Sequence, residues 1–352
     1  MKSIAVINQK GGVGKTTTTV NLGAGLAHRG ARVLLLDMDP QANMTLHLDR
    51  QPELETPTMT HLLVDTRPLE AVILPTAIDN LFMVPADTSL SGVEQVLANR
   101  IGRETILREA FEDYHGTPFD FVIVDCPPAL GVLSANALVA VDQVIIPMQA
   151  EYFSLQGMTK LMEVMELVKR RLNPSLDLLM ILPCMVNPRT NLSSEVLAEL
   201  REHFGQALAR TSVRSNVKLA EAPSFGVSIF EHAPDSNGAA DYRAVTAEFL
   251  QRQGLEPAPA EEVPAAEPLA AETTPPQATT TQATTTEAAD SEPADSAAPP
   301  AQDALDESAA DGITESSPAE TTTRVSGPAP ADRTTAVESH ENAGERHHAA
   351  EG

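Results

Sequence analysis

Tryptophan is absent from this sequence, cysteine occurs twice, and aromatic residues make up only 3% of the chain. What aromatic content there is stops early, because every phenylalanine and tyrosine lies before residue 253. The stretch that follows is built from Pro, Ala, Thr, Ser and acidic residues. It cannot bury enough apolar surface to offset the entropy of ordering it, so 254–352 is expected to be a disordered acidic tail. Two cysteines do not make a disulfide framework. Cys126 follows an apolar run and Cys184 lies inside one, which points to buried, reduced thiols. No apolar run approaches the ~20 residues that a transmembrane helix needs. The first residues read as a strand, without the charged-then-apolar pattern of a signal segment. These absences exclude a disulfide-rich secreted domain and lead to the expectation of a cytoplasmic protein with no membrane contact.

An excess of positive charge is also missing. The chain carries a formal net charge of −25. The tail accounts for most of it, with twenty acidic residues against three arginines. Residues 1–253 are only mildly acidic and form a core of about 250 residues, enough for one large α/β domain.

Within that core, short runs that are apolar throughout alternate with helical patterns. "SIAVIN", "ARVLLLDMDP", "NLFMVPA", "FDFVIVDCPP", "DQVIIPM" and "LDLLMILPCMV" read as strands. Helices are expected from residue 15 to Gly30, near 133–140, 157–172, 193–204 and 238–252. The stretch 89–114 also has helical spacing, and "TPTMTHLLV" reads as a short capped helix in an otherwise ambiguous region. Strands buried on both faces and alternating with helices predict a doubly wound, mostly parallel sheet with helices on both sides. Ligands of such sheets bind outside the carboxyl ends of the strands.

Three of those ends carry polar chemistry. The first is "NQKGGVGKTT" at residues 8–17, which follows a strand and opens a helix as a phosphate loop must. Its glycines, Gly11, Gly12 and Gly14, let backbone N–H groups approach phosphate oxygens, and the helix that follows aims its positive end at them. Lys15 is placed for the β- and γ-phosphates of a nucleotide, and the Thr16 hydroxyl for magnesium. The second end carries Asp37 and Asp39, of which Asp39 is suited to orient the attacking water and Asp37 to hold the loop. The third carries Asp125, the expected partner of the magnesium. One detail departs from the usual pattern: Gln9 stands where its first glycine falls, and Lys10 adds a second cation. A single nucleotide site does not need Lys10, whereas two subunits facing each other across their nucleotides would use it.

The residues K-G-G-V-G-K-T-T at 10–17, "DMDPQAN" at 37–43, "FDFVIVDCPPALGVLSANAL" at 119–138 and "PMQAEYFSLQGM" at 147–158 resemble the ParA/MinD family of deviant Walker A ATPases. "NPRTNLS" at 187–193 and "NVKLAEAPSFGVSI" at 216–229 are similar to its chromosome- and plasmid-partitioning branch, the ParA/Soj proteins. The resemblance spans about residues 2–252 and does not reach the tail. It implies a P-loop NTPase domain at 1–253 that uses ATP and Mg2+ as a hydrolase. It further implies an ATP-dependent sandwich homodimer in which Lys10 crosses to the partner's phosphates. Nucleotide contacts fall on Gly11, Gly12, Val13, Gly14, Lys15, Thr16 and Thr17, with Asn187 and Pro223 framing the adenine. Lys10, Lys15 and Asp39 carry catalysis, and Thr16 and Asp125 the metal. The ATP-bound dimer of such proteins binds DNA without sequence preference, here through Arg189 and Lys218 with Arg214 nearby. A ParB-type centromere-binding partner stimulates hydrolysis and releases it. The implied location is the cytoplasm, in association with the nucleoid.

Lys169, Arg170 and Arg171 fit two readings equally: a contribution to the DNA patch, or complementing a helix dipole. The tail, with its negative charge within reach of that surface, is expected either to compete with DNA phosphates or to serve as a solubilising spacer. A membrane-cycling MinD-like role is disfavoured, because the last residues are polar and acid-rich where that role needs a basic amphipathic helix. With the loop so near residue 1, a longer autorepressor type with a preceding DNA-binding domain is disfavoured too. The competing function is a ParA-like positioner of a non-DNA protein cargo.

Overall fold

Residues 1–53, 55–149, 154–187 and 191–255 are described by the computed structural model. The expected tail lies outside these residues from 256 onward, and so does Arg189. The strands are β1 (Lys2–Val6), β2 (Val33–Asp37), β3 (Leu74–Pro75), β4 (Leu81–Val84), β5 (Phe121–Asp125), β6 (Gln143–Gln149) and β7 (Asp177–Cys184). They form one sheet in the order β3-β4-β2-β5-β1-β6-β7. Every pairing is parallel except that of the two-residue edge strand β3 with β4. The doubly wound, mostly parallel architecture expected from the strand pattern is the one observed.

The helices are α1 (Lys15–Ala27), α2 (Asn43–His47), α3 (Met59–Leu63), α4 (Val93–Val96), α5 (Ile106–Glu112) and α6 (Val132–Ala140). They continue with α7 (Ser154–Arg171), α8 (Asn191–Phe204), α9 (Val217–Glu221), α10 (Ile229–His232) and α11 (Asn237–Arg252). Successive strand residues point to opposite faces, and the two faces build two cores. Ala5, Leu34, Val122 and Ile146 belong to one core with residues of α5, α6 and α7. Ile4, Leu35, Ile123 and Ile145 belong to the other with α1 and α11. All five residues of both β2 and β5 are buried, which explains their unbroken apolar sequences.

Helix α1 lies unusually close to its neighbours. A methyl group at Gly23 would come within 2.7 Å of Leu35 Cδ2, and one at Gly25 would overlap the Thr246 hydroxyl of α11. The capped helix expected near 58 is present, with Thr58 and His61 forming a reciprocal capping box around α3. The long helix expected over 89–114 is not. It is broken into a 3-10 turn at Thr88–Gly92, the short α4 and α5. Gly102, at φ +73°, lies in the turn segment between α4 and α5.

Candidate active site

The register of the central strands places the site. Val6 of β1 and Asp37 of β2 are both aligned with Asp125 of β5, so three strands end in one row. The Met38 amide donates to the Asp125 carbonyl at 3.0 Å and the Cys126 amide to the Val6 carbonyl at 3.1 Å, which locks that row.

From Val6 the chain enters the glycine loop. Asn8 anchors it, donating from its side chain to the Pro147 carbonyl at 2.7 Å and accepting the Lys10 amide at 3.0 Å. Gly12 and Gly14 adopt φ +72° and +93°, a region costly for other residues. Gly14 is the N-cap of α1, and no side chain caps that helix end. The first amides of α1 are therefore open to an anion, aligned with the positive end of the helix dipole. Val13 is buried, while Gly11, Gly12 and Lys10 are exposed at the lip. Lys15 is buried to 7% exposure, and its Nζ donates to the Lys10 carbonyl at 3.3 Å.

Four threonines in succession open α1, and each has its own environment. Thr16 donates to Asp125 Oδ2 at 2.7 Å, and Thr19, one turn on, to Asp125 Oδ1 at 3.3 Å. Thr17 faces the cleft. Thr18 is buried and meets Tyr242 of α11.

Asp37 points into the fold. It accepts the Thr45 amide at 2.9 Å, the Thr45 hydroxyl at 2.7 Å and the Asp39 amide at 3.2 Å, so it holds the loop and α2 in place. Asp39 faces the cleft, with one carboxylate oxygen accepting the Gln41 amide at 3.0 Å. Burial raises Asp125 well above the ordinary carboxylate range; the nearby Asp37 adds to the rise, and the Thr16 hydroxyl and Lys15 oppose it. Burial raises Asp37 in the same way, against its hydrogen bonds from Thr45. Burial thus favours the protonated form of both carboxylates.

A cavity of about 610 Å³ opens over these groups, with the loop glycines, Lys15, Thr16 and Asp39 inside and Leu46, Met185 and Pro223 at its edge. His47 also lines it. Burial holds that imidazole neutral, at about 4, and its Nε2 bonds the Val227 carbonyl at 3.1 Å. A second cavity of about 310 Å³ adjoins the first through Gly14, Thr17 and Met185. Its walls include Arg214, Asn216, Leu219 and Tyr242. Sequence patterns gave no hint of this second chamber, because its walls come from segments far apart in the chain. Asn187 is exposed and lines neither cavity.

A family model described as an AAA domain matches residues 1–178. The chromosome-partitioning ATPase Soj of Thermus thermophilus is 46% identical over 252 residues, covering 72% of this chain and 96% of its own length. The sporulation initiation inhibitor protein Soj of Bacillus subtilis is 43% identical over 241 residues, or 68% of this chain and 95% of its own. The chain belongs to the Soj/ParA family of chromosome-partitioning ATPases. Among solved structures, the cobyrinic acid a,c-diamide synthase of Mycobacterium smegmatis, with bound ADP and magnesium, aligns at a TM-score of 0.63. It is 33% identical, covering 72% of this chain and 96% of that one.

The surface cations singled out by the sequence lie outside this cleft's phosphate loop. Arg214 is clamped by Asp241, with Nη2 to Oδ1 at 2.6 Å and Nε to both carboxylate oxygens at 3.0 Å. Lys218 donates to Glu221 at 2.8 Å, and His232 reaches the same oxygen at 3.2 Å. Lys169 lies 3.4 Å from Asp177. Each of these cations therefore already has an acidic neighbour. Cys126 and Cys184 are buried free thiols, as expected, and burial pushes Cys184 up to about 12. No helix among the described residues is long and apolar enough to cross a membrane.

Proposed function

We propose that the cleft binds ATP with magnesium and hydrolyses it, and that the ATP-bound form is a homodimer that binds DNA without sequence preference. The observation that carries this reading is the convergence of uncapped helix amides, Lys15, the Thr16–Asp125 pair and Asp39 in one cavity. Thr16 and Asp125 fit a magnesium site. Among the described residues no three His, Cys, Asp or Glu side chains cluster as a self-sufficient metal cage, which suits an ion completed by phosphate and water. When bound, magnesium neutralises charge on the phosphoryl oxygens.

The chain's own groups do the rest. The loop amides and Lys15 hold the phosphates, and Asp39 orients the attacking water. Water adds to the terminal phosphorus, the bond to the bridging oxygen breaks, and ADP and inorganic phosphate leave. The base occupies the smaller cavity, where Leu219 offers apolar surface and Asn216 a hydrogen-bonding edge. Pro223 lines the larger cavity beside the nucleotide. Lys10, exposed at the lip, reaches the phosphates of a second copy. Arg189, Arg214 and Lys218 contact DNA phosphates, which requires the latter two to exchange their carboxylate partners for phosphate, and the protein is held at the nucleoid. A ParB-type partner stimulates hydrolysis and releases it.

The existing pairing of Arg214 and Lys218 is the observation that favours the competing reading, a positioner of a non-DNA cargo. ATP turnover of the full chain alone, with DNA, with a ParB-type partner and with both separates the two. The proposal expects the greatest turnover with both present. No stimulation by DNA together with a partner would favour another cargo, and no turnover in any mixture would overturn the enzymatic reading.

A further inference from the structure

Thr18 is the one member of the threonine run that the nucleotide chemistry leaves unused. It is fully buried, and its Oγ1 lies 3.2 Å from the hydroxyl of Tyr242, itself only 1% exposed. The Cys184 thiol of β7 meets the same threonine hydroxyl. The Thr18 amide donates to the Gly14 carbonyl at 2.8 Å, closing the first turn of α1. That turn carries Lys15, Thr16 and Thr17, so whatever fixes Thr18 fixes the phosphate cradle.

The contact is not what bland core packing would choose. A buried hydroxyl is costly unless it is hydrogen-bonded, and phenylalanine would fill the same volume without that requirement. Helical threonines commonly bond back to the carbonyl four residues earlier. Thr19 does so, reaching the Lys15 carbonyl at 3.1 Å, whereas Thr18 meets α11. Helix α11 is in turn held by its own contacts. Gly25 lets it approach α1 closely at Thr246, and Asp241, next to Tyr242, grips both the backbone and the guanidinium of Arg214. Arg214, Tyr242, Gly14 and Thr17 all face the 310 Å³ cavity.

We infer that Tyr242 is a positioning residue for the nucleotide: through Thr18 it sets the rotation and height of the first turn of α1, and so the aim of the amides and Lys15. This rests on the nucleotide-site reading above. The test uses the full chain, with Mg-ADP binding measured by calorimetry and ATP hydrolysis by phosphate release. Tyr242→Phe is expected to weaken Mg-ADP binding and raise KM for ATP roughly threefold to tenfold, the range expected of one buried hydrogen bond. Its kcat should stay within about twofold.

Thr18→Val should reproduce the effect, and the double variant should be no weaker than either single one, since both remove the same contact. Thr18→Ser keeps the hydroxyl and should restore binding. Unchanged Mg-ADP affinity in Tyr242→Phe, or an additive double variant, overturns the inference. So does a loss of affinity in Thr18→Val that Thr18→Ser fails to restore. Failure of the parent chain to bind Mg-ADP at all would instead overturn the nucleotide-site reading, so the two failures are distinguishable.

Discussion

Asp125 stands between two opposing demands. The proposed magnesium site uses a carboxylate beside Thr16, yet the position is fully buried and shares its surroundings with Asp37, both of which favour the protonated form. The folded, nucleotide-free chain therefore holds protons that the unfolded chain releases. By linkage, stability falls as pH rises above the ordinary carboxylate range and through neutrality. Asp125→Asn removes this penalty without changing the side chain's size. In denaturant unfolding at pH 8, the nucleotide-free variant should be more stable than the parent by ~1 kcal/mol or more, because each unit of pKa displacement is about 1.4 kcal/mol. At pH 5 the gap should shrink. Equal stability at both pH values would mean that Asp125 is not held protonated. Nucleotide-dependent stabilisation should be largely lost in the same variant, so the site gains stability only by giving up its ligand.

At the level of elements, α1 bears most of the burden. It begins with four threonines, poor helix formers that are restrained at χ1, and at least three of them meet partners outside the helix. Its other end depends on small residues. Gly25→Ala would press a methyl against the Thr246 hydroxyl, in a core where Thr246 also bonds the Tyr242 carbonyl at 2.7 Å. Overpacking of this kind costs ~1–3 kcal/mol, to be read in denaturant unfolding. Adding Thr246→Ala should recover part of the loss, and no recovery would contradict the close approach.

How far the sequence could reveal these elements follows from the same contacts. Buried strands such as "FDFVIVDCPP", and the phosphate loop between a strand and a helix, are local patterns and were legible. The helical spacing over 89–114 does not show that regular helix stops at Val96 and resumes only at Ile106. The short helices α2, α9 and α10 are each five residues or fewer, too short for a period to register. The Thr18–Tyr242 contact joins residues 224 positions apart, and no spacing rule can find it. Asn187 has the family motif around it, is exposed and lines neither cavity.

For the whole molecule, the governing question is why a complete phosphate site carries a second lysine. Lys15 is buried under the loop, and in the proposed site it serves the nucleotide of its own chain. Lys10 sits at the exposed lip, where its backbone amide donates to Asn8. Exposed apolar groups share that rim: Leu46 and Met185 are each 46% exposed, and both border the main cavity. Closing a second chain over this surface would bury them and bring a Lys10 from each subunit to its partner's phosphates. The measurement that tests this most directly is ATP-dependent dimerisation of Lys10→Ala, followed by sedimentation alongside equilibrium binding of Mg-ADP. The account predicts near-parental nucleotide binding by the monomer, with dimerisation and turnover reduced at least tenfold. A Lys10→Ala protein that dimerises and hydrolyses ATP like the parent would contradict it.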